Sequence, residues 1–364
     1  MGFNCGIIGL PNVGKSTIFK ALTSAKAEVA NYPFCTIDPN VGVVPVPDPR
    51  LGVLEKIYRP KKVTPTIVEV VDIAGLVKGA STGEGLGNKF LGHVRGVDAL
   101  LHVVRCFEDP EVIHTAGKVD PKQDIEIIET ELILSDLEIL DRRIQKIEKK
   151  AKSGGKSERE ELALIMTLQK ILNEGRSLRG FQMEPEQRDM IQDYHLLTLK
   201  PLLYVANISD YDSKSENRFL KVVEEIAQSE HTLVIAIAGG TEAELSTLSF
   251  QEKQEFISEL NLEEPGLNRL INAAYGLLGL LTFFTGGEEE VRAWTVVKGS
   301  KAPQGAGKIH SDMERGFIRA EVMSYSDLCE AGSVQKIKER GLLRVEGKDY
   351  VIQDGDNVFF RFHV

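Results

Sequence analysis

Eight residues near the start of the chain constrain its fold more than any other feature. The pattern G-x-x-x-x-G-K-[ST] fits Gly9-Leu10-Pro11-Asn12-Val13-Gly14-Lys15-Ser16. The apolar run Cys5–Ile8 precedes this segment and Thr17–Leu22 has helical spacing, so the segment joins a strand to a helix. In that setting the glycine-rich loop binds phosphate groups at the start of the helix. The pattern therefore predicts a phosphate-binding loop (P-loop) in an α/β fold of the P-loop NTPase type.

Several residues of the loop have predicted roles in phosphate binding, metal binding and catalysis. Its backbone N–H groups surround the phosphates, Lys15 reaches the β- and γ-phosphates, and the Ser16 hydroxyl ligates Mg²⁺. We therefore predict that Lys15 acts in catalysis and that Ser16 is a metal ligand. The predicted nucleotide contacts in this loop are Asn12, Val13, Gly14, Lys15, Ser16 and Thr17.

Two later segments follow in the order typical of a GTPase-type switch protein. Thr36 lies in a polar loop beyond the P-loop, and the predicted strand Thr66–Val71 ends in Asp72-Ile73-Ala74-Gly75. Thr36 would close on Mg²⁺ and the γ-phosphate, and Asp72 would hold the metal through water. The Gly75 amide would contact the γ-phosphate in the catalytic step. The ordinary alternatives are a loop threonine and a turn aspartate at the end of a strand.

Leu76 follows Gly75 where a Ras-like enzyme has the glutamine that orients the attacking water. A leucine side chain neither donates nor accepts a hydrogen bond. Another group, a partner or a cation must therefore position the water, and we expect slow intrinsic hydrolysis.

Base recognition is predicted at the end of the strand Pro201–Ala206. Guanine-specific proteins of this type have the tetrad Asn-Lys-x-Asp there, and this chain has Asn207-Ile208-Ser209-Asp210. The later strand Thr232–Ile237 leads to Ala238-Gly239-Gly240 in place of the usual Ser-Ala-Lys. Without the lysine, guanine selectivity is not predicted, and Ile208 leaves room for adenine. The predicted base-site residues are Asn207, Ile208, Asp210 and Ala238.

A helical hairpin is predicted between two strands of the sheet. The connection between Asp98–Val104 and Pro201–Val205 is much longer than a parallel crossover needs. Apolar residues recur at heptad spacing on both sides of Ser153-Gly154-Gly155; they are Ile133, Leu137, Leu140, Ile144, Ile147, Leu164, Leu168 and Ile171. The pattern favours two antiparallel helices with a glycine tip.

The tip of this hairpin is basic although the whole chain is acidic. The net charge is −10, from 44 Lys and Arg against 54 Asp and Glu. Between Arg142 and Arg159, eight basic residues stand against two acidic ones, a local charge of 8 − 2 = +6. The charge indicates local binding of RNA or another polyanion. A solvated helix face is the alternative.

Other features exclude several classes of protein. The longest apolar run, near Leu277–Phe284, is too short for a membrane span. The start lacks a basic region and a cleavage site, so secretion is not expected. The four cysteines form no C-x-x-C pair and favour reduced thiols in a cytoplasmic protein. The acidic charge argues against a protein that binds nucleic acid over most of its surface. No DNA or membrane partner is expected.

The order of motifs resembles the YchF/Obg-like ATPase family across the whole chain. The resemblance rests on Gly9–Thr17, Asn31–Asn40, Asp72–Leu76, Ala302–Gln304 with Gly307–His310, and Glu314–Ala320. It implies an Obg-like NTPase domain in residues 1–124 and 200–280, with a coiled-coil hairpin in residues 125–199. It further implies a C-terminal TGS domain of β-grasp type in residues 281–364. Three predicted strands in that region, Val291–Val297, Gly316–Met323 and Asn357–Phe362, favour a binding module.

The resemblance also implies a function. Members of the family hydrolyse ATP in preference to GTP and associate with ribosomes, so Mg²⁺, ATP and ribosomal RNA are the implied partners. The family tetrad typically ends in Glu, whereas this chain has Asp210, the residue of guanine readers. A GTP-specific switch is one alternative. A scaffold that binds ribosomes in every nucleotide state, with incidental slow hydrolysis, is the other.

Two further site residues follow from the resemblance. His114 lies between Pro110 and Gly117, and its neutral imidazole would orient or deprotonate water near neutral pH. A packing or surface histidine is the alternative. Asn12 would help to bind a monovalent cation, K⁺, that replaces an arginine finger.

Overall fold

The computed structural model describes residues 3–24, 40–73, 86–112, 114, 117–151, 155–211 and 214–363. The strands, numbered along the chain, are β1 (Asn4–Ile8), β2 (Val41–Pro45), β3 (Lys62–Thr64), β4 (Ile67–Asp72), β5 (Ala99–Arg105), β6 (Leu202–Ile208), β7 (Val234–Ala238), β8 (Leu280–Gly286), β9 (Glu290–Val297), β10 (Phe317–Met323), β11 (Arg344–Glu346) and β12 (Asn357–Phe362). The helices are α1 (Lys15–Thr23), α2 (Arg50–Tyr58), α3 (Leu86–Arg95), α4 (Pro121–Ala151), α5 (Lys156–Asn173), α6 (Pro185–Ile191), α7 (Arg218–Ser229), α8 (Gly239–Leu245), α9 (Phe250–Glu259), α10 (Gly266–Leu277), α11 (Ala302–Ile309), α12 (Ser311–Arg315), α13 (Tyr325–Ala331) and α14 (Val334–Glu339).

A six-stranded sheet in the order β2-β4-β1-β5-β6-β7 carries the P-loop segment. Strands β4, β1, β5, β6 and β7 pair in parallel. Every residue of β5 and β6 is buried, which explains why most of their residues are apolar. The carboxyl ends of β1, β5, β6 and β7 meet at one edge of the sheet, where parallel α/β sheets bind ligands. The segments after Ile8, Arg105, Ile208 and Ala238 therefore begin at this edge. The predicted α/β P-loop fold is confirmed.

The predicted hairpin is formed by α4 and α5. Helix α4 has 31 residues, about 46 Å at 1.5 Å per residue. All eight heptad residues belong to one apolar cluster, either buried in it or packed against it. Asp136 of α4 is buried and accepts hydrogen bonds from the backbone N atoms of Leu197 and Thr198, both at 2.8 Å, and from the Thr198 hydroxyl at 2.7 Å. These bonds join the hairpin to the chain that leads into β6.

A second six-stranded sheet has the order β11-β10-β12-β8-β9-β3. One of its two central strands, β8, contains Phe283 and Phe284, both 0% exposed, one in each of two apolar clusters. The first cluster includes Ala302 and Ala306 of α11. The second includes residues of α2, α13 and α14. The C-terminal region is therefore a sheet with helices on both faces.

The chain divides into two compact units, residues 1–44 with 69–270 and residues 45–68 with 271–364. Residues 45–68 and 271–280 thus lie in the second unit, whereas the predicted NTPase domain includes them. The reason is pairing and packing: β3 runs parallel to β9, with Lys62 opposite Glu290, and Leu54 of α2 joins the cluster around Phe284. The separation of the hairpin as its own domain stays a prediction. Among the described residues, no helix combines the length and the apolar character needed to cross a membrane.

Candidate nucleotide-binding site

The P-loop adopts backbone angles that favour glycine. Gly9 has φ +148° and Gly14 has φ +96°, in the region that L-residues rarely adopt. A Cβ atom on Gly9 would lie 2.5 Å from the Val103 carbonyl oxygen, and one on Gly14 would lie 2.1 Å from Nδ2 of Asn207. Both contacts are too close for a side chain. Asn12, with φ 62°, is the third left-handed residue of the loop and is exposed.

Lys15 is held inside the loop. Its side chain is buried, at 7% residue exposure, and Nζ donates to the Leu10 carbonyl oxygen at 2.6 Å. Burial lowers the pKa of Lys15 to about 8, against the raising effect of the Asp72 charge. The ammonium group is therefore already placed in the loop, bonded to a carbonyl that a phosphate oxygen can replace.

Ser16 and Asp72 come together although they are far apart in sequence. The Ser16 hydroxyl donates to Oδ2 of Asp72 at 3.2 Å. Burial raises the pKa of Asp72, and the hydrogen bond from Ser16 and the charge of Lys15 oppose that rise.

The Ser16–Asp72 pair fits Mg²⁺, which prefers oxygen ligands at about 2.0–2.1 Å in octahedral geometry. The hydrogen bond places the Ser16 hydroxyl, the predicted direct ligand, beside a carboxylate that can hold a metal-bound water. No group of three His, Cys, Asp or Glu side chains able to hold a metal occurs in the described parts of the chain. Few protein ligands are needed, since Mg²⁺ in nucleotide sites takes its other ligands from phosphates and water.

Asn207 connects the P-loop to the segment after β7. Its Nδ2 donates to the Val13 carbonyl oxygen at 2.9 Å, and its Oδ1 accepts from the Gly239 N–H at 3.1 Å. Asn207 and Val13 are 5% and 1% exposed. Since both ends of the amide are used inside the protein, Asn207 fixes two loops at the binding edge.

The remaining predicted base-site residues differ in accessibility. Ile208 is 2% exposed and Ala238 is 0% exposed, so almost none of either side chain is accessible to a base. Ser209 is exposed, and its hydroxyl donates to Oδ2 of Asp210 at 2.7 Å. Asp210 is half-buried, and of these four residues it offers a base the only ionisable group.

A buried carboxylate behind this edge was not found from the sequence. Glu242 of α8 is 1% exposed, and its Oε1 accepts from the Tyr211 hydroxyl at 2.5 Å and from the Gly266 N–H at 2.6 Å. Burial raises the pKa of Tyr211, and the Glu242 charge adds to the effect. A Cβ atom on Gly266 would lie 2.2 Å from the Tyr211 hydroxyl oxygen. Glu242 therefore fixes the chain that directly follows Asp210.

His114 is buried and paired with Asp124 in the first turn of α4. The two residues are 8% and 2% exposed, and Nε2 of His114 lies 3.0 Å from Oδ2 of Asp124. Burial raises the pKa of Asp124, and the His114 contact opposes the rise. The sequence pattern gave no sign of this pair.

Three residues singled out from the sequence, Thr36, Gly75 and Leu76, lie outside the described residues. Thr17, another predicted nucleotide contact, lies on α1 and is exposed. The structure thus brings together Lys15, Ser16 and Asp72.

Comparisons with known proteins identify the family of the chain. A family model described as a 50S ribosome-binding GTPase matches residues 4–139. A second, named YchF-GTPase_C and described as a protein of unknown function (DUF933), matches residues 280–363.

Three relatives described as "Ribosome-binding ATPase YchF", from Haemophilus ducreyi, Escherichia coli O157:H7 and Bacillus subtilis, are each 52% identical to the chain, with 100% of both sequences covered. A solved structure described as the Schizosaccharomyces pombe YchF GTPase is 39% identical, with a TM-score of 0.90 over 99% of this chain and 98% of that one. Identity at this level over the full length of the relatives shows that the chain belongs to the YchF family.

Proposed function

We propose that the protein is a Mg²⁺-dependent NTPase that hydrolyses ATP in preference to GTP and acts on ribosomes in the cytoplasm. The observation that carries the proposal is the arrangement of Lys15, Ser16 and Asp72, a buried cation beside a hydroxyl and a carboxylate at the start of α1. The full-length relatives described as ribosome-binding ATPases support the choice of nucleotide and partner.

Each residue of this arrangement has a defined part. Backbone N–H groups of the P-loop and the Lys15 ammonium group bind the β- and γ-phosphates. Ser16 and Asp72 hold Mg²⁺, which supplies charge stabilisation for the transferred phosphoryl group. Asn207 holds the P-loop and the segment at Gly239 together through its two hydrogen bonds.

The hydrolytic step is assigned to groups that the comparisons do not address. We assign Thr36 to the metal and γ-phosphate, the Gly75 amide to the γ-phosphate, and His114 to the attacking water. Because Leu76 cannot orient water, another group must do so, and the family resemblance points to His114. A K⁺ ion beside Asn12 would supply the charge of an arginine finger.

The choice of base is tested by titrating non-hydrolysable analogues of ATP and GTP into the protein with Mg²⁺ in a calorimeter. We expect tighter binding of the ATP analogue, since Ile208 stands where a guanine reader has lysine and is buried. In Asp210→Asn, binding of the GTP analogue should weaken more than binding of the ATP analogue, because guanine N–H groups lose a charged acceptor. GTP affinity more than about tenfold tighter, or 1.4 kcal/mol, would contradict the adenine assignment.

Ribosome binding is assigned to the basic end of the hairpin. Lys149 and Lys150 are exposed near the end of α4. Lys152 of the same cluster lies outside the described residues. We expect the double variant Lys149→Ala/Lys150→Ala to co-sediment less with ribosomes and to show a shallower dependence on salt, because fewer counterions are released from RNA.

The matched control for this experiment is Lys336→Ala/Lys338→Ala, which removes two exposed lysines from α14. Equal loss of co-sedimentation in both double variants would contradict a specific role for the hairpin. Co-sedimentation that is the same without nucleotide, with ADP and with an ATP analogue would favour the nucleotide-independent scaffold over the switch.

A further inference from the structure

The pair formed by His114 and Asp124 is almost completely buried. The two side chains are 5% and 2% exposed, and Nε2 of His114 lies 3.0 Å from Oδ2 of Asp124. The second carboxylate oxygen, Oδ1, is buried without a hydrogen-bond partner in the described part of the chain. A buried carboxylate is unfavourable unless it is hydrogen-bonded, so the contact with His114 stabilises Asp124 where it lies.

The chain from the end of β5 to Val112 is held by Arg105. The guanidinium group of Arg105, 1% exposed, donates to the carbonyl oxygens of Phe107 at 3.1 Å, Asp109 at 3.3 Å and Val112 at 2.9 Å. The positive charge of Arg105 also favours the ionised form of Asp124. When Asp124 is ionised its oxygens can only accept, so Nε2 of His114 carries the hydrogen and donates the hydrogen bond to the carboxylate.

This position conflicts with a direct role for His114 in hydrolysis. The chain that leads to His114 starts at the end of β5, beside β1 and the P-loop, so it starts at the nucleotide edge. An imidazole that is 5% exposed nevertheless has almost no contact with solvent water. To orient or deprotonate an attacking water, His114 must leave Asp124.

We propose that Asp124 is the positioning residue for His114: it holds the imidazole away from the attacking water, and the pair separates before hydrolysis. The proposal rests on the assignment of His114 under Proposed function. Asp124 lies in the first turn of α4, which continues to the basic end of the hairpin. A movement of α4 would therefore move Asp124 relative to His114. We expect slow hydrolysis by the isolated protein as long as the pair stays closed.

Chemical labelling tests the position of His114 without using activity. Diethylpyrocarbonate modifies accessible histidines, and mass spectrometry reports the modification of each one. We expect slow modification of His114 in the full-length protein, with His310, whose side chain is 61% exposed, as the fast reference. In Asp124→Asn the modification of His114 should be about tenfold faster, because the hydrogen bond loses its charge.

Asp120→Asn is the matched control, since it removes the same charge from a side chain that is 35% exposed and pairs with Lys118. It should leave the labelling of His114 unchanged. Two results would overturn the proposal: labelling of His114 as fast as that of His310 in the unaltered protein, or no acceleration in Asp124→Asn. If thermal melting shows that Asp124→Asn does not fold, Asp124→Ser replaces it in the same comparison.

Single-turnover ATP hydrolysis without ribosomes supplies the second readout. We expect Asp124→Asn to hydrolyse ATP about tenfold faster than the unaltered protein, and the gain to disappear in Asp124→Asn/His114→Ala. Unchanged or slower hydrolysis in folded Asp124→Asn would overturn the proposal. If His114→Ala alone hydrolyses ATP at the unaltered rate, the catalytic assignment of His114 is wrong, while labelling still decides whether Asp124 holds it.

Discussion

Lys15→Ala is expected to weaken binding of ATP with Mg²⁺ by about 10²- to 10³-fold and to reduce hydrolysis below detection. The loss is large because Lys15 is buried and its Nζ atom is already placed by the Leu10 carbonyl oxygen. A phosphate oxygen gains this charge without the entropy needed to order a free lysine. Calorimetry with a non-hydrolysable ATP analogue measures the affinity, and phosphate release measures the hydrolysis.

Lys20→Ala is the matched control for this prediction. Lys20 lies on the same helix, α1, and is exposed. It should bind and hydrolyse ATP like the unaltered protein. If Lys15→Ala folds and binds the analogue within about threefold of the unaltered protein, the loop does not bind a triphosphate and the proposed function fails.

Asn207→Ala is expected to destabilise the protein and to weaken nucleotide binding by more than about 10²-fold. It removes two buried hydrogen bonds and leaves the Val13 carbonyl and the Gly239 N–H without their partner. Each buried group left unpaired costs about 1–3 kcal/mol, so the free energy of unfolding should fall by about 2–6 kcal/mol. Denaturant unfolding and calorimetry measure the two effects.

Asn207→Asp separates the two contacts. It keeps an acceptor for the Gly239 N–H but places an oxygen against the Val13 carbonyl oxygen, where the amide had donated at 2.9 Å. Nucleotide binding should therefore weaken in this variant as well. Asn173→Ala, at an exposed position at the end of α5, is the control. Normal nucleotide binding by folded Asn207→Ala would show that the connection between the two loops is not needed.

Local sequence predicted much of this molecule. The P-loop was identified because its glycines, lysine and serine occupy fixed positions between a strand and a helix. The hairpin was identified because heptad spacing places apolar residues on one face of each helix, and all eight belong to the cluster between α4 and α5. The end of β6 was identified in the same way, from an apolar strand followed by a polar tetrad.

Long-range pairing was not accessible to the same reasoning. Residues 45–68 were assigned to the NTPase domain because they lie between two of its strands, yet β3 pairs with β9, far along the chain. The apolar run Leu277–Phe284 was excluded only as a membrane span, and its residues from Leu280 onward belong to β8, one of the two central strands of the second sheet. Neither segment carries a local signal of its partner, because strand pairing depends on backbone groups that every residue has.

The sequence by itself determined which groups can bind a triphosphate, since the glycines and Lys15 act through backbone freedom and charge that belong to the residue types. Only the tertiary structure decided that Asn207 joins the P-loop to Gly239 and that Asp124 holds His114 in a buried position. A hydrogen bond between distant residues depends on distances of a few tenths of an ångström, which the packing of the whole sheet and its helices sets.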